Sequence, residues 1–151
     1  MNQENAIDAL NTLIQINNDR IEGYKTAAEE TDETELQTLF SELSHTSKKC
    51  NSDLIVEVKS LGGTPIEGTK TTGKIYRAWM DFKALLTSKS RSSVLNSCEY
   101  GEDVAISTYQ DVIDGNVEDL TLVQQAMIKA QQMLIKADHN KVKSLRDAMP
   151  V

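Results

Sequence analysis

Residues 7–28 read IDALNTLIQINNDRIEGYKTAA, and the spacing inside this stretch decides the fold. Ile7, Leu10, Ile14, Asn17, Ile21, Tyr24 and Ala28 recur at steps of three and four, and Leu13 widens the same stripe. That period belongs to one face of an α-helix, so a helix is predicted from about residue 3 to residue 30. Gly23 lowers helix propensity without ending the helix. Asn17 lies in the middle of the stripe, where an apolar residue is expected.

Moving outward, Thr31-Asp32 breaks the pattern. Asp32 has the chemistry of an N-cap, and Glu35 stands three residues on as its capping-box partner. A second helix is predicted over 33–61, with Leu36, Leu39, Phe40, Leu43, Ser47, Cys50, Leu54, Val58 and Leu61 inward. Gly62-Gly63 stops it, because the first glycine can adopt the left-handed conformation that closes a helix. Residues 62–72, with Pro65, read as loop. A short helix over about 73–86 carries Ile75, Tyr76, Trp79, Phe82 and Leu86 on one side. Ile75, Trp79 and Phe82 either pack this helix onto the rest or offer a contact surface.

A third helix is predicted over 92–114. Its stripe is Leu95, Cys98, Glu102, Ala105, Ile106, Tyr109 and Ile113. Asp114-Gly115-Asn116 is a turn signal. The fourth helix, over 117–148, has the stripe Leu120, Val123, Met127, Ala130, Leu134, Val142 and Leu145, with Gln131 and Asp138 among them.

Long amphipathic helices are marginal alone in water and must bury their stripes on one another. The short turns near Thr31 and Gly115 make antiparallel hairpins. The link between the hairpins is long enough to return along the bundle. The expected fold is therefore all-α: one domain over 1–151, a ferritin-like antiparallel four-helix bundle whose long crossover carries an extra helix.

Composition limits the function. The chain of 151 residues has 16 basic and 23 acidic side chains, a net charge of -7. An acidic chain without clustered Lys or Arg is a poor partner for nucleic acid phosphates. No stretch approaches the roughly 20 apolar residues of a membrane span, and residues 1–8 do not resemble a signal segment. The expected location is cytoplasmic. Cys50 and Cys98, both on apolar faces, read as buried free thiols.

The chemistry lies in the polar residues on inward faces. Asn17, Ser47, Glu102 and Gln131 fall near the middles of their helices and are expected to meet in one layer, with Tyr24 and Tyr109 as donors nearby. Burial favours protonated Glu102 unless charge or donors compensate. A di-iron site of ferritin-like type needs a Glu from each of two helices and a Glu-x-x-His pair from each of the others. Glu42-Leu43-Ser44-His45 is one such half-site, but a helix turns by about 100° per residue, which puts His45 opposite Leu43. His139 has Lys136, not Glu, three residues before it, and the first helix offers Asn17. The metal candidates are Glu42, His45, Glu99, Glu102 and His139. The departures from the di-iron pattern favour a structural layer over a site for iron or another cofactor.

Five segments resemble a bacterial family of ferritin-like four-helix-bundle proteins of unknown function. They are Ile21-Glu22-Gly23-Tyr24-Lys25-Thr26-Ala27-Ala28-Glu29, Leu61-Gly62-Gly63-Thr64-Pro65, Trp79-Met80-Asp81-Phe82-Lys83-Ala84-Leu85, Cys98-Glu99-Tyr100-Gly101-Glu102-Asp103 and His139-Asn140-Lys141-Val142-Lys143-Ser144-Leu145-Arg146-Asp147. The resemblance implies the bundle and no reaction. The function expected is a non-enzymatic bundle acting through an unknown protein partner or self-association. The alternatives are a di-metal oxidase or peroxidase, whose ligands must converge, and a small-ligand-binding bundle with a cavity beside Asn17 and Glu102.

Overall fold

The computed structural model describes residues 2–68 and 91–148. Among them are four long helices and no strand: α1 (Gln3–Glu30), α2 (Thr34–Ser60), α3 (Arg91–Gly115) and α4 (Leu122–Asp147). The helix expected over 73–86, with Ile75, Trp79 and Phe82, lies outside the described residues.

Helix ends follow local chemistry. The Asn2 side chain caps α1 by accepting from the Asn5 amide. The expected capping box at Asp32 is not formed: Glu33 is the N-cap of α2, with no side-chain cap bond. The box occurs at α4 instead, where Thr121 and Gln124 each accept from the other's backbone amide. That cap starts α4 at Leu122, five residues later than expected. At the end of α2, Gly62 takes φ 82°. Its amide donates to Lys59 O and that of Gly63 to Val58 O, both at 3.0 Å, closing the helix as a Schellman motif. A Cβ on Gly63 would sit 2.8 Å from Ile7 Cγ2, so this glycine also lets the turn press on α1.

α1 packs most extensively on α2, and α3 on α4. Cross-links fix the directions. Contacts from Asn17 and then Arg20 of α1 reach positions 50 and then 47 of α2, 109 and then 102 of α3, and 131 and then 138 of α4. Thus α1 and α4 run one way and α2 and α3 the other. Residues 64–68 leave α2 and climb alongside α1. Asn11 donates to Thr64 O and accepts from the Ile66 amide, while Gln15 and Asn18 both donate to Gly68 O. This strap buries Asn11 and Gln15, so α1 is covered on more than the one stripe its apolar residues mark.

The phase of α4 differs from the expectation. Val123 and Leu134, expected inside, are exposed, as is Ala130. The inward residues are Gln124, Ile128, Gln131, Gln132, Ile135, Asp138 and Val142. Four of these seven are polar and have partners, so counting apolar residues selected the neighbouring face. Gln124, for example, donates to Glu57 Oε2 at 3.1 Å.

The apolar core forms two clusters. One contains Leu10, Leu13, Ile14, Ile16, Leu54, Val58, Ala105, Tyr109, Ile128 and Ile135. The other contains Tyr24, Leu36, Leu39, Phe40, Leu43, Leu95, Cys98 and Val142, with the Tyr24 and Phe40 rings stacked at 5.9 Å. Each fully buried Leu, Ile or Phe contributes roughly 1.5–3 kcal/mol by leaving water. Between the clusters, each helix contributes a polar or charged side chain.

Candidate functional site: a charged layer at the centre of the bundle

The layer is built around Arg20. It follows Asn17 by three residues and precedes Tyr24 by four, so α1 turns it into the bundle axis. Its side chain is fully buried. Nε donates to Glu102 Oε2 at 2.8 Å and Nη2 to Glu102 Oε1 at 2.6 Å, a two-pronged pair between α1 and α3. Nη1 donates to Ser47 Oγ of α2 at 2.5 Å, and Nη2 reaches Asp138 Oδ2 of α4 at 3.3 Å. The Tyr24 ring lies 5.6 Å from the guanidinium carbon. A planar fork of donors suits two carboxylate oxygens, which a lysine ammonium does not match.

A neutral layer lies beside it. Asn17 Nδ2 donates to Leu13 O and to Tyr109 Oη; Tyr109 Oη donates to Gln131 Oε1; Gln131 Nε2 donates to Cys50 O. All four expected polar-core residues, Asn17, Ser47, Glu102 and Gln131, are buried. They divide between two adjoining layers: Ser47 and Glu102 join Arg20, whereas Asn17 and Gln131 join Tyr109.

Burial raises the carboxyl of Glu102 above its ordinary value, and the charge and hydrogen bonds of Arg20 oppose that rise. Burial likewise raises Asp138, again opposed by Arg20. For Arg20 burial disfavours the cation, but Glu102 and the other neighbours outweigh it and hold the proton more firmly. Burial also pushes the Cys50 thiol up to about 11 and Cys98 well above its usual value. Both cysteines are free and buried, which is the inert kind of thiol.

The metal candidates do not converge. Glu102 spends both oxygens on Arg20. Glu42 and His45 are exposed and line an open groove of about 670 Å³ beside Lys141, whose ammonium lies 3.4 Å from Glu42. Glu99 and His139 do approach one another, at 3.7 Å, on the outer seam between α3 and α4. Arg20 escaped the sequence reading because a step of three from Asn17 reaches Arg20 and a step of four reaches Ile21. The apolar residue looked like the inward one, yet Ile21 is only half-buried. The available signal was the inward Glu102, which called for a cation at inward spacing on a facing helix.

A family model described as "Domain of unknown function (DUF2383)" matches residues 5–115. The chain belongs to this family. No curated protein matches the chain. The family's matched span contains Arg20, Ser47, Glu99, Glu102 and Asp103, and ends before Asp138 and His139 of α4. Its description carries no activity, so function rests on the geometry. No helix among the described residues is long and apolar enough to cross a membrane.

Proposed function

We propose that the chain is a ferritin-like bundle whose centre holds an arginine in place of a di-metal site, and that it acts through protein contacts or self-association, not catalysis. The helix directions and the strap that climbs from α2 along α1 favour that connectivity. The observation that carries the reading is Arg20. A fixed cation occupies the axis, uses both oxygens of Glu102 and touches Asp138. Two metal ions at the same place would face its charge and would have to break the pair. Against a small-ligand cavity, Tyr24 and Tyr109, among the largest fully buried side chains, stand beside Arg20 and Asn17. For contact with a partner, α4 offers the exposed apolar side chains Leu122, Val123, Met133 and Leu134.

The test is anaerobic loading of the intact chain with ferrous iron, removal of loose ions, and admission of oxygen. The expected result is iron oxidation at the protein-free rate and no retained iron pair. Two irons per chain, with oxidation lost in Glu102→Ala, would overturn the proposal.

A further inference from the structure

We propose that Glu99, Asp103 and His139 form a binding site for one divalent first-row transition-metal ion, of the zinc type, on the outer seam between α3 and α4. Glu99 and Asp103 stand four residues apart on α3 and therefore share a face. His139 follows Asp138 on α4, which brings it to the same level. One ligand atom from each residue lies within 4.8 Å of the other two. Asp103 Oδ1 is 3.0 Å from His139 Nε2, and Glu99 Oε1 is 3.7 Å away. With metal bonds of about 2.0–2.2 Å, neighbouring ligand atoms stand roughly 3.0–3.6 Å apart, so both carboxylates already stand near coordination spacing from His139.

The second observation is the state of His139 Nε2. The atom is buried and makes no hydrogen bond, although a carboxylate oxygen stands 3.0 Å away. A proton on Nε2 would call for a bond directed at Asp103, and that direction is not met. A bare Nε2 instead stands 3.0 and 3.7 Å from two carboxylate oxygens with no donor between them. A cation between the three atoms removes both problems. Imidazole nitrogen with two carboxylate oxygens is a ligand set for zinc or manganese(II) and lacks the sulfur that copper(I) prefers.

The surroundings support the shell. Arg146 pairs with Glu99 Oε2, which leaves Oε1 turned toward His139. That is the kind of outer partner that orients a ligating carboxylate. Three protein ligands leave a coordination position open, and Asp103, the most exposed of the three, marks the solvent side. The site is separate from the Arg20 layer: it takes one ion, lies outside the bundle axis and does not involve Glu102.

Zinc titration of the metal-free intact chain by calorimetry tests the proposal, with cobalt(II) absorption as a report on geometry. One zinc per chain is expected. Asp103→Asn and His139→Gln should each weaken it by at least about tenfold, while His45→Gln, which removes the other histidine, should leave it unchanged. Asp103 is exposed, so its variant carries the test even where His139→Gln disturbs folding. Absence of zinc binding at millimolar concentration would overturn the site, as would affinities within about twofold of the parent in both ligand variants, or loss of binding in His45→Gln.

Discussion

The two polar layers of this bundle sit side by side and are made differently. The neutral layer of Asn17, Tyr109 and Gln131 lies within one apolar cluster, and Tyr109 is itself a member of that cluster. The charged layer of Arg20, Glu102, Asp138 and Ser47 lies at the boundary where that cluster ends and the second begins. A neutral layer costs only the desolvation of amides and a hydroxyl, which its hydrogen bonds offset at every group but the buried Asn17 Oδ1. A charged layer is expensive to bury and often contributes no net stability over an apolar replacement, yet losing one partner is severe. Sensitivity to substitution is therefore concentrated in the charged layer. The charged layer ties all four helices to one guanidinium, so it fixes their relative register, whereas the neutral layer links them in a chain with several weaker bonds.

The largest effect should come from Arg20→Met, which leaves Glu102 and Asp138 buried without their cation. A loss of about 3–5 kcal/mol in urea unfolding is expected; a loss under about 1 kcal/mol would place the pair in water and break the contrast between the layers. Tyr109→Phe should cost less, about 1–3 kcal/mol, because it orphans Gln131 Oε1 and one bond of Asn17 while keeping the ring. If it cost more than Arg20→Met, the ranking of the layers would be reversed.

Alkaline pH acts on both layers together. The unfolded chain releases thiol and phenol protons as pH rises through about 9 to 10. The folded chain keeps them longer, since Cys50 is pushed up to about 11 and Cys98, Tyr24 and Tyr109 are raised well above their ordinary values. The native state then binds more protons than the unfolded state, so stability is full below about pH 9 and falls as pH climbs through the raised values. Melting temperatures from pH 7 to 11 check the sign. A flat or rising profile would mean that these groups are open to solvent.

Much of the fold was legible because apolar steps of three and four mark helices independently of tertiary detail. The bounds of α1 and the Gly62-Gly63 stop followed from that pattern and from glycine's freedom. Legibility failed where polar residues turn inward. In α4, Gln124 and Gln132 make the buried face look like the wet one, and Val123 and Leu134 reverse the appearance. Arg20 failed for the same reason, because inward arginine makes sense only once Glu102 faces it across the bundle. The burial of Glu102, Asn17, Ser47 and Gln131 was readable from spacing; their division into two layers depends on which partners the opposite helices supply. The approach of His139 to Asp103 was not foreseen, since it depends on the relative axial placement of α3 and α4.

The most direct test of the central pair is a double-mutant cycle of Arg20→Met and Glu102→Leu, read by equilibrium unfolding in urea. Strong coupling is expected: the double variant should be at least about 2 kcal/mol more stable than the sum of the single losses implies, because removing both charges together leaves neither stranded. Losses that add to within about 0.5 kcal/mol would contradict it, and would show that Arg20 and Glu102 do not form the ion pair on which this description of the bundle rests.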